Sequence, residues 1–347
     1  MAVNNELIKD DLYEAVNGEW LKTAKIPDDK PATGGFNDLV DEIDKQLMYD
    51  FDAYATGKEK SDDSRFNEMI KLYRLAKKFD WRKKVGPKPL KRMLASVENL
   101  NSYEDYQSQW KNWILAGMPS PISFDIDADM KNATVYALFA SSPSLILPDK
   151  SYYEAEKKAQ HDQLLQLWSS MVEALMDKLG YSKEEAKKII DDAIKFDALL
   201  APNVKSAEEA ADYSKMYNPQ TVAELASATD QLDIAAIIKQ LVGEEPEKVI
   251  VTEPEYFKAL NKILQGNFEL FKNWALIRVI RENASYLDDE MREINGRYGR
   301  ALSGSKKPVS QRKFAFYLAR DMFSQVAGDY YGKKYFGPQA KADVHHG

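Results

Sequence analysis

Apolar residues recur every three to four positions along most of this chain. Leu39, Ile43 and Leu47 are spaced four apart, and the same kind of spacing runs through residues 62–84 and 153–179. This spacing places side chains on one face of an α-helix. Because it continues through long segments, the sequence predicts a mainly α-helical fold, with one continuous helix over 62–84.

One stretch departs from the helical spacing and alternates with a period of two. Ile122, Phe124 and Ile126 are separated by polar residues, and a second, more apolar run covers 132–140. Alternation of this kind is typical of a half-buried strand. The two runs therefore predict one small β-hairpin, and residues 248–252 are a further short strand candidate.

Local signals indicate where some helices begin. Asn37 is a suitable N-cap for the helix that contains Leu39. Ser182, followed three residues later by Glu185, has the pattern of a capping box. Residues 219–227 are predicted to form a short helix.

Composition limits the class of protein and its partners. The chain has 347 residues, 44% of them hydrophobic and 30% charged, which is typical of a globular protein. Its net charge of -7 argues against nucleic acid and against an anionic membrane as partners. It has no signal-peptide pattern and no apolar run of about eighteen residues. The absence of cysteine fits a reducing compartment, so a cytoplasmic location is expected. No segment resembles a linker, so the sequence predicts a single domain over 1–347.

Several short motifs follow one another in a fixed order. They are Asp11-Leu12-Tyr13, Gly18-Glu19-Trp20-Leu21, Gly34-Gly35-Phe36, Leu147-Pro148-Asp149-Lys150-Ser151-Tyr152-Tyr153 and Tyr217-Asn218-Pro219-Gln220. In this order they resemble the neprilysin-like zinc metallopeptidases of the M13 family. The resemblance covers nearly all of this chain but only about the first half of the family's usual length. It implies a large helical lobe that encloses oligopeptides, with residues 1–36 as an arm that reaches toward a catalytic lobe.

The chain lacks the motif that carries the family's zinc. The family binds zinc through His-Glu-x-x-His on a helix and a glutamate from further along. The histidines here are His161, His345 and His346, and none of them begins that motif. The resemblance therefore implies zinc in the complete enzyme, but no catalytic residue and no metal ligand is assigned here. No zinc is expected to bind this chain by itself.

Two weaker histidine matches have simple interpretations. His161 lies early on an amphipathic helix among charged residues, which is typical of a solvated surface side chain. Asp343-Val344-His345 matches a triplet of some family members, in which the histidine helps to stabilise the transition state. That match comprises three residues at a chain end.

The Asp125, Asp127 and Asp129 side chains have the spacing with which a calcium loop begins. Such a loop needs glycine at its sixth position and glutamate at its twelfth, where this chain has Met130 and Tyr136. We interpret the three as carboxylates that point outward from a strand. Paired carboxylates for a metal-independent hydrolase are a further alternative.

The resemblance assigns substrate contacts to the start of the second helix. It implies that Phe36 helps to form the pocket for the side chain just after the cleaved bond, with Asn37 in place of an acidic neighbour. Ala32 and Val40 correspond to positions where animal members carry arginines that hold a substrate's C-terminal carboxylate. Phe36, Asn37 and Val40 are therefore the expected substrate-binding residues, with a preference for internal bonds. The other interpretation is that Phe36 and Val40 belong to the core.

The expected function is the substrate-enclosing lobe of a zinc metalloendopeptidase, which would need a C-terminal catalytic lobe as its partner. By itself, the chain is expected to be inactive. The alternative is a non-catalytic peptide-binding protein, or a subunit of a split enzyme that pairs with a separate zinc-bearing chain. A lobe without its partner is expected to expose apolar surface.

Overall fold

The computed structural model describes residues 3–337 of the chain. These residues form two compact units, and each is described by itself. Unit 1 comprises residues 3–84 and 296–337, and unit 2 comprises residues 85–295. The single-domain organisation over 1–347 stays a prediction.

Most of the described residues lie in helices, so the mainly α fold is confirmed. The helices are α1 (Leu12–Leu21), α2 (Gly35–Ala55), α3 (Ser64–Ala76), α4 (Phe79–Val85), α5 (Lys88–Glu98), α6 (Tyr103–Leu115), α7 (Lys158–Leu179), α8 (Lys183–Leu200), α9 (Ala207–Ala211), α10 (Val222–Ala226), α11 (Ile234–Val242), α12 (Pro254–Leu264), α13 (Phe268–Ala284), α14 (Asp289–Asn295), α15 (Arg297–Ser303), α16 (Gln311–Met322) and α17 (Ser324–Tyr331). The strands are β1 (Ser123–Asp129), β2 (Asn132–Ser141), β3 (Asn218–Gln220) and β4 (Val249–Val251). A π-helical turn, Gly332–Phe336, follows α17.

The core of unit 1 forms where α2 packs against α3, α16 and α17. Phe51 of α2 lies at its centre and is fully buried. Its ring centroid is 6.3 Å from that of Phe66, 5.6 Å from Tyr73 and 5.2 Å from Phe316, all in edge-to-face geometry. Aromatic rings prefer this arrangement, and it adds to the stabilisation that burial of the rings gives.

The prediction of one helix over 62–84 is wrong, because the chain turns between α3 and α4. Lys77 ends α3, and the amide of Phe79 donates to its carbonyl at 2.9 Å. The turn brings the buried Arg82 back to the end of α3, where its guanidinium donates to the Ala76 carbonyl at 3.3 Å. The guanidinium also lies 4.7 Å from the ring centroid of Phe79. The buried apolar residues end at Ala76, and Arg82 is the one buried residue of α4, so apolar spacing supports a helix only as far as α3.

Buried carboxylates join α2 to the C-terminal helices of unit 1. Asp44 accepts hydrogen bonds from Tyr317 Oη at 2.7 Å and from Arg320 at 3.0 Å. Asp50 contacts three groups of the last described turns: Tyr330 Oη at 3.0 Å, Lys334 Nζ at 2.6 Å and Tyr335 Oη at 2.7 Å. Each buried carboxylate thus meets a cation and at least one hydroxyl donor, which is the condition under which burying it is tolerated.

Unit 2 holds a four-stranded sheet with the order β1-β2-β4-β3. β1 and β2 form the predicted antiparallel hairpin, with Phe124 opposite Ala140. β4 confirms the strand candidate at 248–252 and pairs parallel to β2. The helix predicted for 219–227 begins only at Val222, because Thr221 caps it in a capping box with Glu224. The residues before that cap form β3, which pairs antiparallel to β4.

The helical core of unit 2 forms between α8 and α13. Phe196 of α8 packs against Phe271 and Trp274 of α13, with ring centroids 5.8 and 5.3 Å away. The predicted capping box of Ser182 and Glu185 is present at the start of α8.

Candidate functional site

The first forty residues carry most of the exposed apolar side chains of unit 1. We call residues 3–40 the N-terminal segment. Its exposed large apolar side chains are Val3, Ile8, Leu12, Tyr13, Val16, Leu21, Ile26, Phe36, Leu39 and Val40. Isolated exposed apolar residues are ordinary, whereas the N-terminal segment exposes many of them within forty residues of sequence.

The α1 helix shows why these side chains remain outside. Asp11 caps the helix, since its carboxylate accepts from the Glu14 amide at 2.8 Å. Ala15 is the one residue of the helix that is buried. Leu12 and Val16, one turn apart on the same face, remain exposed. Asp11 thus caps a helix whose exposed apolar face lies outside the core cluster of unit 1.

Polar contacts fix the middle of the N-terminal segment. The Asp28 carbonyl accepts hydrogen bonds from the amides of Lys306 at 2.7 Å and Lys307 at 2.8 Å. The Lys307 ammonium lies 3.0 Å from the Asp28 carboxylate, and its hydrogen bond and charge lower the pKa of that carboxyl. Lys30 forms an ion pair with Asp41 of α2. These contacts hold the segment in place without burying its apolar side chains.

The α2 helix begins at Gly35, so the prediction that Asn37 is its N-cap is wrong. Gly34 is the N-cap, and the Asp38 amide closes the first turn by donating to its carbonyl at 2.9 Å. Asn37 therefore lies inside the first turn and is half-buried. Ala32, just before the helix, is exposed.

The predicted substrate residues Phe36 and Val40 lie one turn apart and share a face of α2. Phe36 is 88% exposed and Val40 is 50% exposed. Leu39 is exposed beside them. The interpretation of Phe36 as a core residue therefore does not hold in the described structure. Phe36, Asn37 and Val40 occupy the first turns of one helix, and their contact with substrate stays a prediction.

Residues 3–337 contain no group of three or more histidine, cysteine, aspartate or glutamate side chains that could hold a metal ion. His161 Nδ1 lies 3.0 Å from Asp162 Oδ1, and its ring packs at 5.5 Å from that of Tyr153. His161 is half-buried rather than fully solvated. The His-Glu-x-x-His motif of the resembled family does not occur among the described residues. Asp343-Val344-His345 and His346 lie outside the described residues.

The three aspartates of β1 separate instead of converging. Asp129 is buried and forms an ion pair with Lys248 at 2.5 Å. It also accepts a hydrogen bond from the Lys131 amide at 2.8 Å, which fixes the hairpin turn. Asp125 and Asp127 are exposed on the strand, as the interpretation of outward carboxylates predicts, but that interpretation is wrong for the buried Asp129.

A buried carboxyl group that the sequence reasoning missed lies on α8. Asp197 accepts from the Ile146 amide at 2.9 Å and from Tyr153 Oη. Burial raises the pKa of Asp197 to about 6, against the opposing effects of these hydrogen bonds and of the charges of Arg278 and His161. The carboxyl fixes the loop before α7 to the helical core. Its position directly after Phe196, on the apolar face of α8, is the signal that could have revealed it.

Comparison with known proteins identifies the class. The profile of Peptidase family M13 matches residues 8–346. The neutral endopeptidase of Lactococcus lactis subsp. lactis is 38% identical over 339 residues, which are 97% of this chain and 53% of that protein. The neutral endopeptidase of Lactobacillus helveticus is 36% identical over 338 residues, 97% of this chain and 52% of that protein. The crystal structure of PepO from Lactobacillus rhamnosis superposes with a TM-score of 0.88 at 31% identity, covering 98% of this chain and 53% of that one.

This chain belongs to Peptidase family M13. It spans about half the length of the relatives it matches. None of the helices within residues 3–337 has both the length and the apolar content that crossing a bilayer requires.

Proposed function

We propose that this chain is the helical, substrate-enclosing part of a zinc metalloendopeptidase that cleaves oligopeptides at internal bonds. One observation carries the proposal: nearly the whole chain matches about half of the M13 relatives, and its 347 residues contain no His-Glu-x-x-His. Zinc and the residues that hold it would belong to a further region, on the same polypeptide or on a second chain. The residues described here would bind and enclose the peptide.

We propose that the exposed N-terminal segment packs against that zinc-bearing region. In support, Leu12 and Val16 of α1 leave an apolar face uncovered within unit 1. An apolar surface of this kind is a favourable place for a partner because its burial removes the side chains from water. Phe36 and Val40 would then lie where the packed segment meets the peptide.

Adding back a zinc-bearing region tests the proposal. The purified chain should leave an internally quenched oligopeptide intact. Mixing it with a separately produced M13 region that contains His-Glu-x-x-His should give cleavage that a metal chelator abolishes. The matched control is the same region with the glutamate of that motif replaced by glutamine. If the chain alone cleaves the peptide in a chelator-sensitive way, the proposal is wrong.

The rival function is that of a peptide-binding protein without any zinc partner. It predicts that the chain binds oligopeptides but that no added region restores cleavage. The family match favours the enzyme, since the relatives that this chain resembles over nearly its whole length are named neutral endopeptidases.

We further propose that the complete enzyme does not need a free C-terminus on its substrate. The side chains of Ala32 and Val40 cannot donate hydrogen bonds to a carboxylate, whereas the resembled animal enzymes carry arginines at these positions. Cleavage of a peptide and of its C-terminal amide should therefore proceed with kcat/KM values within about twofold of each other. A strong preference for the free carboxylate would contradict this.

We also propose a cytoplasmic location. The absence of cysteine from all 347 residues supports a reducing compartment, where disulfides do not form. Cell fractionation followed by immunodetection tests this, and recovery of the protein outside the cytoplasm would contradict it.

A further inference from the structure

The free edge of the unit 2 sheet is the long strand β1. The sheet ends on one side at β1 and on the other at the short strand β3. β3 contains Pro219, whose missing amide weakens pairing with an added strand. β1 has seven residues and no proline, so it offers the longer template for an added strand.

Two outward amides of this edge are occupied by side chains of the same strand. The amide of Ile126 donates to Asp125 Oδ1 at 2.9 Å, and the amide of Ala128 donates to Asp127 Oδ1 at 2.7 Å. In an antiparallel pair, alternate residues direct their amides toward the partner strand and away from it. Ile126 and Ala128 are therefore the residues whose amides face the free edge, and the neighbouring carboxylates cover them.

The hairpin has one apolar face, which is buried at its base and exposed toward its tip. At the base, Ile122 is fully buried and Phe124 lies 6.2 Å from the ring of Trp110. Toward the tip, Ile126 is 60% exposed and Tyr136 is 80% exposed. The alternation of the sequence thus continues beyond the part of the face that unit 2 covers.

The opposite face of β1 carries negative charge. Asp125 and Asp127 are exposed, and among residues 3–337 no cationic side chain forms an ion pair with either of them. An added strand that matches both faces of β1 would alternate apolar residues, placed beside Ile126, with lysine or arginine placed beside the two carboxylates.

We propose that β1 binds an extended oligopeptide in which apolar and cationic residues alternate, as an added strand of the unit 2 sheet. Strand addition to an exposed sheet edge is a general mode of peptide recognition. The two carboxylates make binding at this edge selective for cationic peptides. A cation on the peptide draws each carboxylate away from the amide that is hydrogen-bonded to it, and that amide then donates to a peptide carbonyl. Calling the bound peptide a substrate rests on the proposed function, but the binding itself needs no zinc.

Fluorescence anisotropy on the full chain tests this binding directly. The probe is a labelled peptide as long as β1, in which lysine and valine alternate, with acetylated and amidated ends. We expect saturable binding of this probe and none of a glutamate-valine peptide. The lysine-valine peptide with N-methyl groups on the residues that face β1 should bind at least about tenfold more weakly, because it cannot donate to the strand.

Substitutions at Asp125 and Asp127 distinguish the effect of their charge from the effect of their hydrogen bonds to the edge amides. Asp125→Asn combined with Asp127→Asn keeps an oxygen that can cover each amide but removes the charge. This variant should weaken the lysine-valine probe about fivefold, which corresponds to two exposed ion pairs. The matched control, Asp177→Asn with Asp191→Asn, makes the same change of charge at exposed helix positions of unit 2 and should leave the affinity unchanged.

Alanine at both positions tests the cover. Asp125→Ala combined with Asp127→Ala should bind a neutral threonine-valine probe more tightly than the unaltered chain does, because the two amides are free. Three results would overturn the proposal: no binding of the lysine-valine probe at millimolar concentration, equal binding of its N-methylated form, or equal losses in the asparagine variant and the control. None of these results depends on whether added zinc-bearing protein restores cleavage.

Discussion

The two ends of α2 carry the same apolar pattern in opposite environments. Phe36 and Val40 in its first turns are exposed, whereas Leu47 and Phe51 further along are buried in the core of unit 1. A spacing of four residues runs through both parts, from the exposed Leu39 to the buried Leu47 and Phe51. A helix that is held by its later turns can thus present its first turns as an apolar surface, and the pattern indicates which face is apolar but not what covers it.

Alanine substitutions at Phe51 and at Phe36 test this comparison most directly, and the two variants should show the largest expected difference in stability. Phe51→Ala should lower the free energy of unfolding of unit 1 by about 3–5 kcal/mol, because it leaves a cavity among three aromatic rings. Phe36→Ala should change it by less than about 0.5 kcal/mol in the free chain. Urea unfolding, monitored by hydrogen exchange of the α2 amides, measures both changes in free energy.

Equal destabilisation by the two variants would contradict the comparison. It would mean that Phe36 packs against unit 1 in solution. Leu47→Ala is the second core variant and should follow Phe51→Ala in direction.

The buried carboxylate Asp50 gives the next largest effect. Asp50→Ala should destabilise unit 1 by about 2–3 kcal/mol, because Tyr330, Lys334 and Tyr335 lose their common acceptor. Asp38→Ala, in the exposed first turn of the same helix, is the matched control and should have little effect. Thermal unfolding of both variants measures the difference, and equal melting temperatures would show that the Asp50 contacts add no stability.

Sequence reasoning predicted what depends on local pattern and missed what depends on distant partners. The faces of Leu47 and Phe51 and the hairpin of β1 and β2 follow from spacing alone. The pairing of β4 with β2 joins residues more than a hundred positions apart, and no local signal encodes it. The exposure of Phe36 depends on what covers it, so the same residue types supported both a pocket and a core. The resemblance, rather than the periodicity, selected the candidate substrate residues.

Asp197 extends the comparison to carboxyl groups and gives the next effect. Its ordinary pKa of 3.8 is raised to about 6 by burial, so the folded state holds a proton that the unfolded chain releases. Its contribution to stability is therefore fully present below about pH 3.8 and is lost as the pH rises through about 6. Asp197→Asn should remove this dependence, which is on the order of 2 kcal/mol between pH 4 and pH 7.

Melting temperatures of the unaltered chain and of Asp197→Asn, measured across that range, test the sign. The asparagine variant should gain stability relative to the unaltered chain as the pH rises. A constant difference across the range would show that Asp197 keeps an ordinary pKa. Asp191→Asn on the exposed side of α8 controls for the loss of a carboxyl group.

The smallest expected free-energy change concerns the exposed end of α2 and is measured as activity of the completed enzyme. With a zinc-bearing region added, Phe36→Ala should lower kcat/KM for an oligopeptide about fivefold, or about 1 kcal/mol, through lost apolar contact with the peptide. Leu21→Ala on α1, which is exposed but not a predicted substrate residue, is the control for losses in assembly. If the free chain tolerates Phe36→Ala as expected, a loss of activity at full assembly would place the role of Phe36 in the contact with peptide. If activity instead falls only as far as assembly falls, for both variants alike, Phe36 belongs to the surface that the partner covers.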